Sequence, residues 1–279
     1  MICIIKGTKN MDREYLLCAV RAALLAGADI MGVYNDPASD FGIERKADHS
    51  PLTVADKKAH ERIMSYLRTT PYPVLSEEGR HAAYEERRAW ETLWVVDPLD
   101  GTKEFIKKNG EFTVNIALVR SGVPVMGVIY VPVKRELYVA EESLGAYKIE
   151  DIDAIADDET LDALLARARK LPLGQRADDA FVVVASRSHL SPETSLFIED
   201  KRKTYRRVEV ISSGSSLKIC LVAEGAADAY PRFAPTMEWD TAAGHAIVRA
   251  AGKDIYSAET GKALTYNKED LLNPWFLVE

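Results

Sequence analysis

Cysteine is scarce. Cys3, Cys18 and Cys220 are the only three in 279 residues and show no paired spacing. The chain therefore has no disulfide framework, and reduced, buried thiols of a cytosolic protein are expected. Long apolar runs are lacking too, and none is expected to reach membrane-span length. Residues 15–31 come nearest and superficially resemble a signal peptide, but Arg21 interrupts the run and Asp29 follows it. Their apolar positions recur with helical period, so an amphipathic first helix is the reading, in a cytoplasmic, soluble protein. Positive charge is not in excess. Lys and Arg number 36 against 43 Asp and Glu, a net charge of −7. That argues against a broad basic face for nucleic acid or an anionic membrane, but leaves room for a small phosphorylated ligand held by local cations. There is no internal repeat, low-complexity tract, Walker-type loop or Cys or Ser nucleophile motif.

What is present is a 47% apolar, globular chain, long enough for one large domain or two intimate subdomains. Three segments are expected: an N-terminal extension over residues 1–11, an α+β subdomain over 12–170 and an α/β subdomain over 171–279. Residues 12–33 read as a helix with Asp12 as N-cap and Leu16, Val20, Leu24 and Met31 on one face. A short strand at 41–45 and a polar loop at 46–51 follow. Thr53 caps a second helix over 54–68. Asp56 lies in its first turn, where complementing the helix dipole would explain it without further function. A strand at 73–76 delivers Glu77 and Glu78, which would face opposite ways if the strand continued. Residues 112–119 and 123–130 form a hairpin around Ser121-Gly122, and 136–140 and 145–149 extend a mostly antiparallel sheet.

The second half alternates strands and helices: strands at 181–185, 205–211 and 227–230, helices from Ser191-Pro192-Glu193 and over 217–223 and 239–250, then a strand-and-loop tail. The turn Ser212-Ser213-Gly214-Ser215-Ser216 offers N–H groups and hydroxyls to an anion at a helix start. Lys218 adds positive charge there, against the dipole preference. Asp240 sits at another helix start, where an N-cap role would suffice. His245 reads as packing.

The stretch that organises these elements is Trp94-Val95-Val96-Asp97-Pro98-Leu99-Asp100-Gly101-Thr102. It reads as a buried strand over 93–96 running into a tight turn. Asp97 and Asp100 would converge there. Two carboxylates together cost repulsion and desolvation unless a cation neutralises them, and oxygen-only ligands select a hard cation, Mg²⁺ first. An ordinary Asx-type turn closing a strand is the alternative this stretch leaves open. Glu77, the Asp97/Asp100 pair and Asp240 all lie at element ends, with Asp56 a further candidate, which suggests one shared metal site.

Asp97-Pro98-Leu99-Asp100-Gly101-Thr102 and Trp239-Asp240-Thr241-Ala242-Ala243-Gly244, preceded by Thr53-Val54-Ala55-Asp56 and Ser76-Glu77-Glu78, closely resemble the motifs of the inositol monophosphatase-like family of Mg²⁺-dependent, lithium-sensitive phosphatases. The resemblance covers residues 12–278. Within the family the chain is most similar to the bacterial 3′(2′),5′-bisphosphate nucleotidases of the CysQ type. That finer likeness rests on Lys103-Glu104-Phe105-Ile106, Asn109 to Asn115, Ser186-Arg187-Ser188-His189, Gly214-Ser215-Ser216-Leu217-Lys218 and Tyr230-Pro231-Arg232-Phe233. Lys103-Glu104 stands where inositol phosphatases have Thr-Asn. The extra N-terminal residues and Met237-Glu238 depart from the branch without touching a motif.

The resemblance implies a layered α-β-α-β-α sandwich, of mixed α/β and α+β class. It implies hydrolysis of adenosine 3′,5′-bisphosphate, or its 5′-phosphosulfate form, in sulfur assimilation and recycling of the bisphosphate. It also implies that Glu77, Asp97 and the Leu99 carbonyl hold one Mg²⁺ and that Asp97, Asp100 and Asp240 hold a second. Asp56 would orient a third, loosely held ion and activate water with Thr102, while Glu78 stands behind the ligands. Gly101 and Thr102 N–H groups would bind the departing phosphate. Ser188 and His189 would lie near the adenosine, Ser215 and Lys218 near the 5′-phosphate, and Arg232 near base or phosphate. Inhibition by Li⁺ is implied as well. Peripheral association with the cytoplasmic face of the inner membrane stays open, as does oligomeric state. The competing readings are a phosphatase of the same fold acting on inositol or fructose phosphates, and a catalytically dead nucleotide sensor.

Overall fold

The structure, a computed structural model, describes residues 2–45, 51–80, 82–174, 176, 179–185 and 191–279, and only the backbone of residues 2–10. Helix α1 (Ile2–Tyr34) begins well before Asp12. Asp12 is not its cap; the carboxylate accepts a 2.9 Å hydrogen bond from Arg120 and ties the helix to the sheet. Within α1, the 24-residue stretch Met11–Tyr34 contains an 18-residue window of mean hydropathy 1.8, long and apolar enough to cross a membrane. The expectation that no stretch reaches that length is corrected here. Leu16, Val20, Ala23, Leu24 and Ile30 are buried in the core, so packing accounts for that hydrophobicity.

A hairpin of β1 (Glu44–Arg45) and β2 (Pro51–Leu52) follows, its connecting loop outside the described residues. Thr53 caps α2 (Val54–Leu67) in a reciprocal capping box with Asp56. Then come β3 (Val74–Ser76), the short α3 (Tyr84–Arg87), β4 (Thr92–Asp100), α4 (Thr102–Ile106), β5 (Thr113–Arg120), β6 (Val123–Val131), β7 (Glu136–Glu141), β8 (Gly145–Ile149), α5 (Leu161–Ala166) and β9 (Arg169–Lys170). Strands β3 to β9 form one seven-stranded sheet in sequence order. Only β3 and β4 run parallel in it.

The second half supplies β10 (Phe181–Ala185), α6 (Pro192–Thr204), β11 (Val208–Ser212), α7 (Leu217–Glu224), β12 (Tyr230–Arg232), α8 (Glu238–Ala250), β13 (Ile255–Ser257) and β14 (Phe276–Val278). The strand expected at 227–230 is displaced to β12, where it pairs with β14, while Ala229 bridges to Val183. That bridge joins the parallel pair β11-β10 to β12-β14-β13. Helices α1 and α2 cover one face of the seven-stranded sheet and α8 the other, beside α7. The second sheet lies beyond α7 and α8, and α6 packs against it. The layering is α-β-α-β-α.

Strand alternation decides which layer each residue meets. Trp94, Val96, Ile116 and Leu118 join the core beneath α1 and α2. Leu93, Val95, Ala117 and Val119 join the core beneath α7 and α8. Two glycines let helices sit directly on β6. A Cβ at Gly127 would lie 2.3 Å from the Ala243 carbonyl oxygen of α8, and one at Gly27 of α1 would lie 2.3 Å from Tyr130 Cε1. Gly127→Ala should therefore lower unfolding free energy by about 1–3 kcal/mol, the usual cost of overpacking. Gly32→Ala, on α1 where an added Cβ meets nothing within 4 Å, should be neutral or gain up to about 1 kcal/mol. Denaturant titration of both variants checks the contrast.

Candidate active site

The acids are brought together by strand pairing. In the parallel register Ser76 pairs with Val96, and the Glu77 N–H donates to the Val96 carbonyl at 3.1 Å. Glu77 therefore lies alongside Asp97. The chain turns immediately, with the Gly79 N–H on the Ser76 carbonyl at 3.0 Å, so strand alternation does not govern Glu78. Strand β4 does not stop at Val96 but runs on to Asp100 through a bulge. Asp97 pairs with Asn115 and Asp100 with Thr113, three residues on one strand against two on the other. Without the bulge, Asp97 and Asp100 would face opposite sides of the sheet. With it, both face the α7/α8 layer. Pro98, which has no N–H to donate, sits inside the bulge. The Leu99 N–H donates to Asp97 Oδ1 at 3.1 Å, so the Asx-type turn is present as well.

Asp240 arrives from the first turn of α8. Met237, not Asp240, is the N-cap residue, and its N–H donates to Asp240 Oδ2 at 2.7 Å. Carboxylate oxygens of Asp97, Asp100 and Asp240 lie within 4.8 Å of one another. Burial, then the charges of Glu77, Asp100 and Asp240, push the Asp97 carboxyl well above the usual carboxylate range. Burial and the Asp100 charge push Asp240 up to about 8, against the Met237 N–H and Arg232. Among the described residues no Lys or Arg forms an ion pair with these three. An all-oxygen donor set whose anionic form is penalised in this way fits a hard divalent cation.

Asp56 reaches the same region from the opposite layer. Its Oδ2 accepts from the Thr53 N–H at 2.7 Å and the Thr53 hydroxyl at 2.5 Å. Its Oδ1 lies 3.2 Å from the Thr102 hydroxyl, whose single proton can alternatively go to the Leu99 carbonyl at 3.3 Å. Capping thus uses one oxygen and leaves the other at the site. Gly101 holds φ at +93°, and a Cβ there would meet the Glu111 carbonyl oxygen at 3.1 Å. Glycine is required on both counts.

A cleft of about 650 Å³ opens beside the acids, lined by residues of both halves, among them Asp100, Asp240, Lys218 and Arg232. Lys218 lies in the first turn of α7. It is buried, and its ammonium donates to the Ser215 carbonyl at 2.8 Å and the Ser213 carbonyl at 3.3 Å. Burial pushes its pKa down to about 8. Ser215 has φ +42° and exchanges a 3.0 Å hydrogen bond with Thr113. Arg232 donates to the Pro235 carbonyl at 3.1 Å, and its buried Nε has no partner among the described residues. Ser188 and His189 lie outside the described residues. His245 packs as expected, between Asp254 and the Tyr266 hydroxyl. Asn115, given no role from sequence, touches Asp100, and so does Ser216, whose N–H and hydroxyl go to Asp100 rather than standing open to an anion as the serine turn suggests.

The profile described as Inositol monophosphatase family matches residues 11–276. The 3′(2′),5′-bisphosphate nucleotidase CysQ of Salmonella typhimurium is 48% identical over 256 residues, 91% of this chain and 94% of that protein. Its counterpart in Escherichia coli K12 is 47% identical over the same shares. The crystal structure of CysQ from Bacteroides thetaiotaomicron, described as a bacterial member of the inositol monophosphatase family, is 61% identical. It superimposes with a TM-score of 0.89, covering 96% of this chain and 97% of that one. With these likenesses spanning both sheets and every acid at the site, the chain belongs to the inositol monophosphatase family.

Proposed function

We propose that the chain is a Mg²⁺-dependent 3′(2′),5′-bisphosphate nucleotidase. It removes the 3′-phosphate of adenosine 3′,5′-bisphosphate, or of the 5′-phosphosulfate form, leaving AMP or adenosine 5′-phosphosulfate and phosphate. The supporting observation is the set of facing carboxylates that opens on a cleft bearing Lys218 and Arg232, in a chain 47–48% identical to nucleotidases of that name. A panel of adenosine 3′,5′-bisphosphate, adenosine 3′-monophosphate and inositol 1-phosphate, assayed for Mg²⁺-dependent phosphate release, tests it. Equal turnover of inositol 1-phosphate would point to the broader phosphatase reading.

Bound Mg²⁺ would neutralise the phosphate and lower the pKa of a coordinated water. Glu77, Asp97 and the Leu99 carbonyl would hold one ion and Asp97, Asp100 and Asp240 another, with Asp97 shared. Asp56 would steady a third, loosely held ion through water. Once the Thr102 proton points at Asp56 Oδ1, Thr102 Oγ1 presents a lone pair to the attacking water. Asp56 and Thr102 together then receive its proton. The N–H groups of Gly101 and Thr102 would bind the leaving phosphate, with Glu78 behind the ligands.

The nucleotide would lie across the join between the 12–170 and 171–279 segments, with Ser188 and His189 toward the adenosine. The Lys218 ammonium has three protons and two carbonyl partners, which leaves one for the 5′-phosphate, beside the Ser215 backbone. The Arg232 Nε, without a partner among the described residues, supplies a second charged donor.

Asp97→Asn should abolish turnover in a folded protein, because a neutral amide cannot serve two divalent ions. It should also erase the rise in melting temperature that Mg²⁺ gives the wild type, read by thermal shift with and without Mg²⁺. Arg232→Gln removes a charge-assisted bond worth roughly 1.5–3 kcal/mol. It should lower kcat/KM for adenosine 3′,5′-bisphosphate by about tenfold to a hundredfold and spare adenosine 3′-monophosphate in comparison. Li⁺, similar to Mg²⁺ in radius but carrying half the charge, should inhibit phosphate release in a dose–response run at limiting Mg²⁺.

A further inference from the structure

Among Asp97, Asp100 and Asp240, Asp100 has the most described donors. Its Oδ2 accepts from the Ser216 N–H at 2.7 Å and lies 2.7 Å from the Ser216 hydroxyl. The Asn115 amide adds a longer approach at 3.4 Å. A carboxylate oxygen has two lone pairs, so with the single Ser216 hydroxyl proton on the nearer, charged Oδ2 rather than on the Asp240 carbonyl, the two Ser216 donors saturate Oδ2 and leave Oδ1 as the ligand atom. The Ser216 hydroxyl is also 2.9 Å from the Asp240 carbonyl oxygen and accepts from the Asn115 amide at 2.9 Å. One hydroxyl therefore touches both residues whose carboxylates would share a cation with Asp97.

Asn115 is itself oriented. The Thr113 hydroxyl donates to Asn115 Oδ1 at 2.9 Å. That spends its only proton, so the Ser215 hydroxyl must be the donor in its contact with Thr113. Strand β5 provides Thr113 and Asn115, the turn before α7 provides Ser215 and Ser216, and all four face the bulge. Asn115, Thr113 and Ser216 are buried, so none of these donors competes with water.

We infer that Ser216 and Asn115 are positioning residues that fix Asp100 as a one-oxygen ligand and thereby set the Mg²⁺ affinity of the Asp97–Asp100–Asp240 position. Both would act on the metal through Asp100. They lock a carboxylate that, free to rotate, would offer either oxygen and lose conformational freedom on binding the ion. Partners of this kind change metal affinity or activity by about tenfold to a hundredfold in metalloproteins.

The inference rests on the metal position proposed above but not on the substrate. Its test uses Mg²⁺ alone: calorimetric titration of the metal-free full chain with MgCl₂, without nucleotide. Ser216→Ala should weaken Mg²⁺ binding by about tenfold to a hundredfold, with the melting temperature of the metal-free protein close to wild type. The nearly isosteric Asn115→Leu should shift the affinity in the same direction and carries the test if Ser216→Ala does not fold. A folded variant of either kind that binds Mg²⁺ as tightly as wild type overturns the inference. So does a loss of melting temperature that is equal with and without saturating Mg²⁺, which would mark a purely structural role. Wild-type protein that hydrolyses another phosphate ester yet shows the expected affinity losses would sink the nucleotidase reading and leave this one standing.

Discussion

The structure depends on gathering like charges where water cannot screen them. Asp97 is buried, Asp100 and Asp240 are partly so, and Glu77 adds its charge. Nothing in the apolar core favours that arrangement. It persists because each carboxylate is fixed by backbone built for other reasons: the parallel register at Glu77, the bulge at Asp97 and Asp100, and the cap of α8 at Asp240. Packing of α8 on β6 through Gly127 brings the last of these within reach. The stability of the sandwich thus opposes a repulsion that a bound cation would remove, and the carboxylates are preorganised at the expense of the metal-free fold.

Hydrogen bonding at the site is divided between chain halves. Donors from the second half, Ser216 and Met237, serve Asp100 and Asp240, while Thr53 and Thr102 of the first half serve Asp56. Several groups do two jobs. Asp56 caps a helix with one oxygen and faces Thr102 with the other. Lys218 braces the serine turn through two carbonyls while bordering the cleft. Substitution at such positions changes local folding and chemistry together, so only comparisons across substrates or metal states separate the two.

The acids were legible in the sequence because charge at an element boundary is conspicuous, and the motif spacing made their convergence a reasonable expectation. The bulge was not legible. Asp97 and Asp100 were placed in a turn after the strand, whereas the ladder continues and only a slip in register puts them on one face. Asn115 escaped, and Ser216 was read only as part of an anion-binding turn, because neutral amides and hydroxyls carry no periodic or electrostatic signature; their contacts with Asp100 exist only where β5 meets α7. The burial of Lys218 was hidden for a related reason, since its carbonyl partners belong to backbone whose course is set by Gly214 and Ser215. Asp12 looked like a cap, yet its partner Arg120 is distant in sequence. The apolar stretch of α1 was underrated as a length and is explained by the core it fills.

The order of the chain adds a consequence in time. Glu77, Asp97 and Asp100 are made early, but Asp240 and Ser216 lie on elements near the C-terminal end, and α8 must cross the sheet before they reach the bulge. A nascent chain can therefore lay down the whole seven-stranded sheet with three acids facing an uncovered surface and no fourth to complete the set. Completion of the Asp97–Asp100–Asp240 cluster coincides with the closing of the sandwich rather than preceding it. A chain truncated before α8 would lack Asp240 and the closed sandwich together, and would keep only the Glu77–Asp97 side of the proposed site.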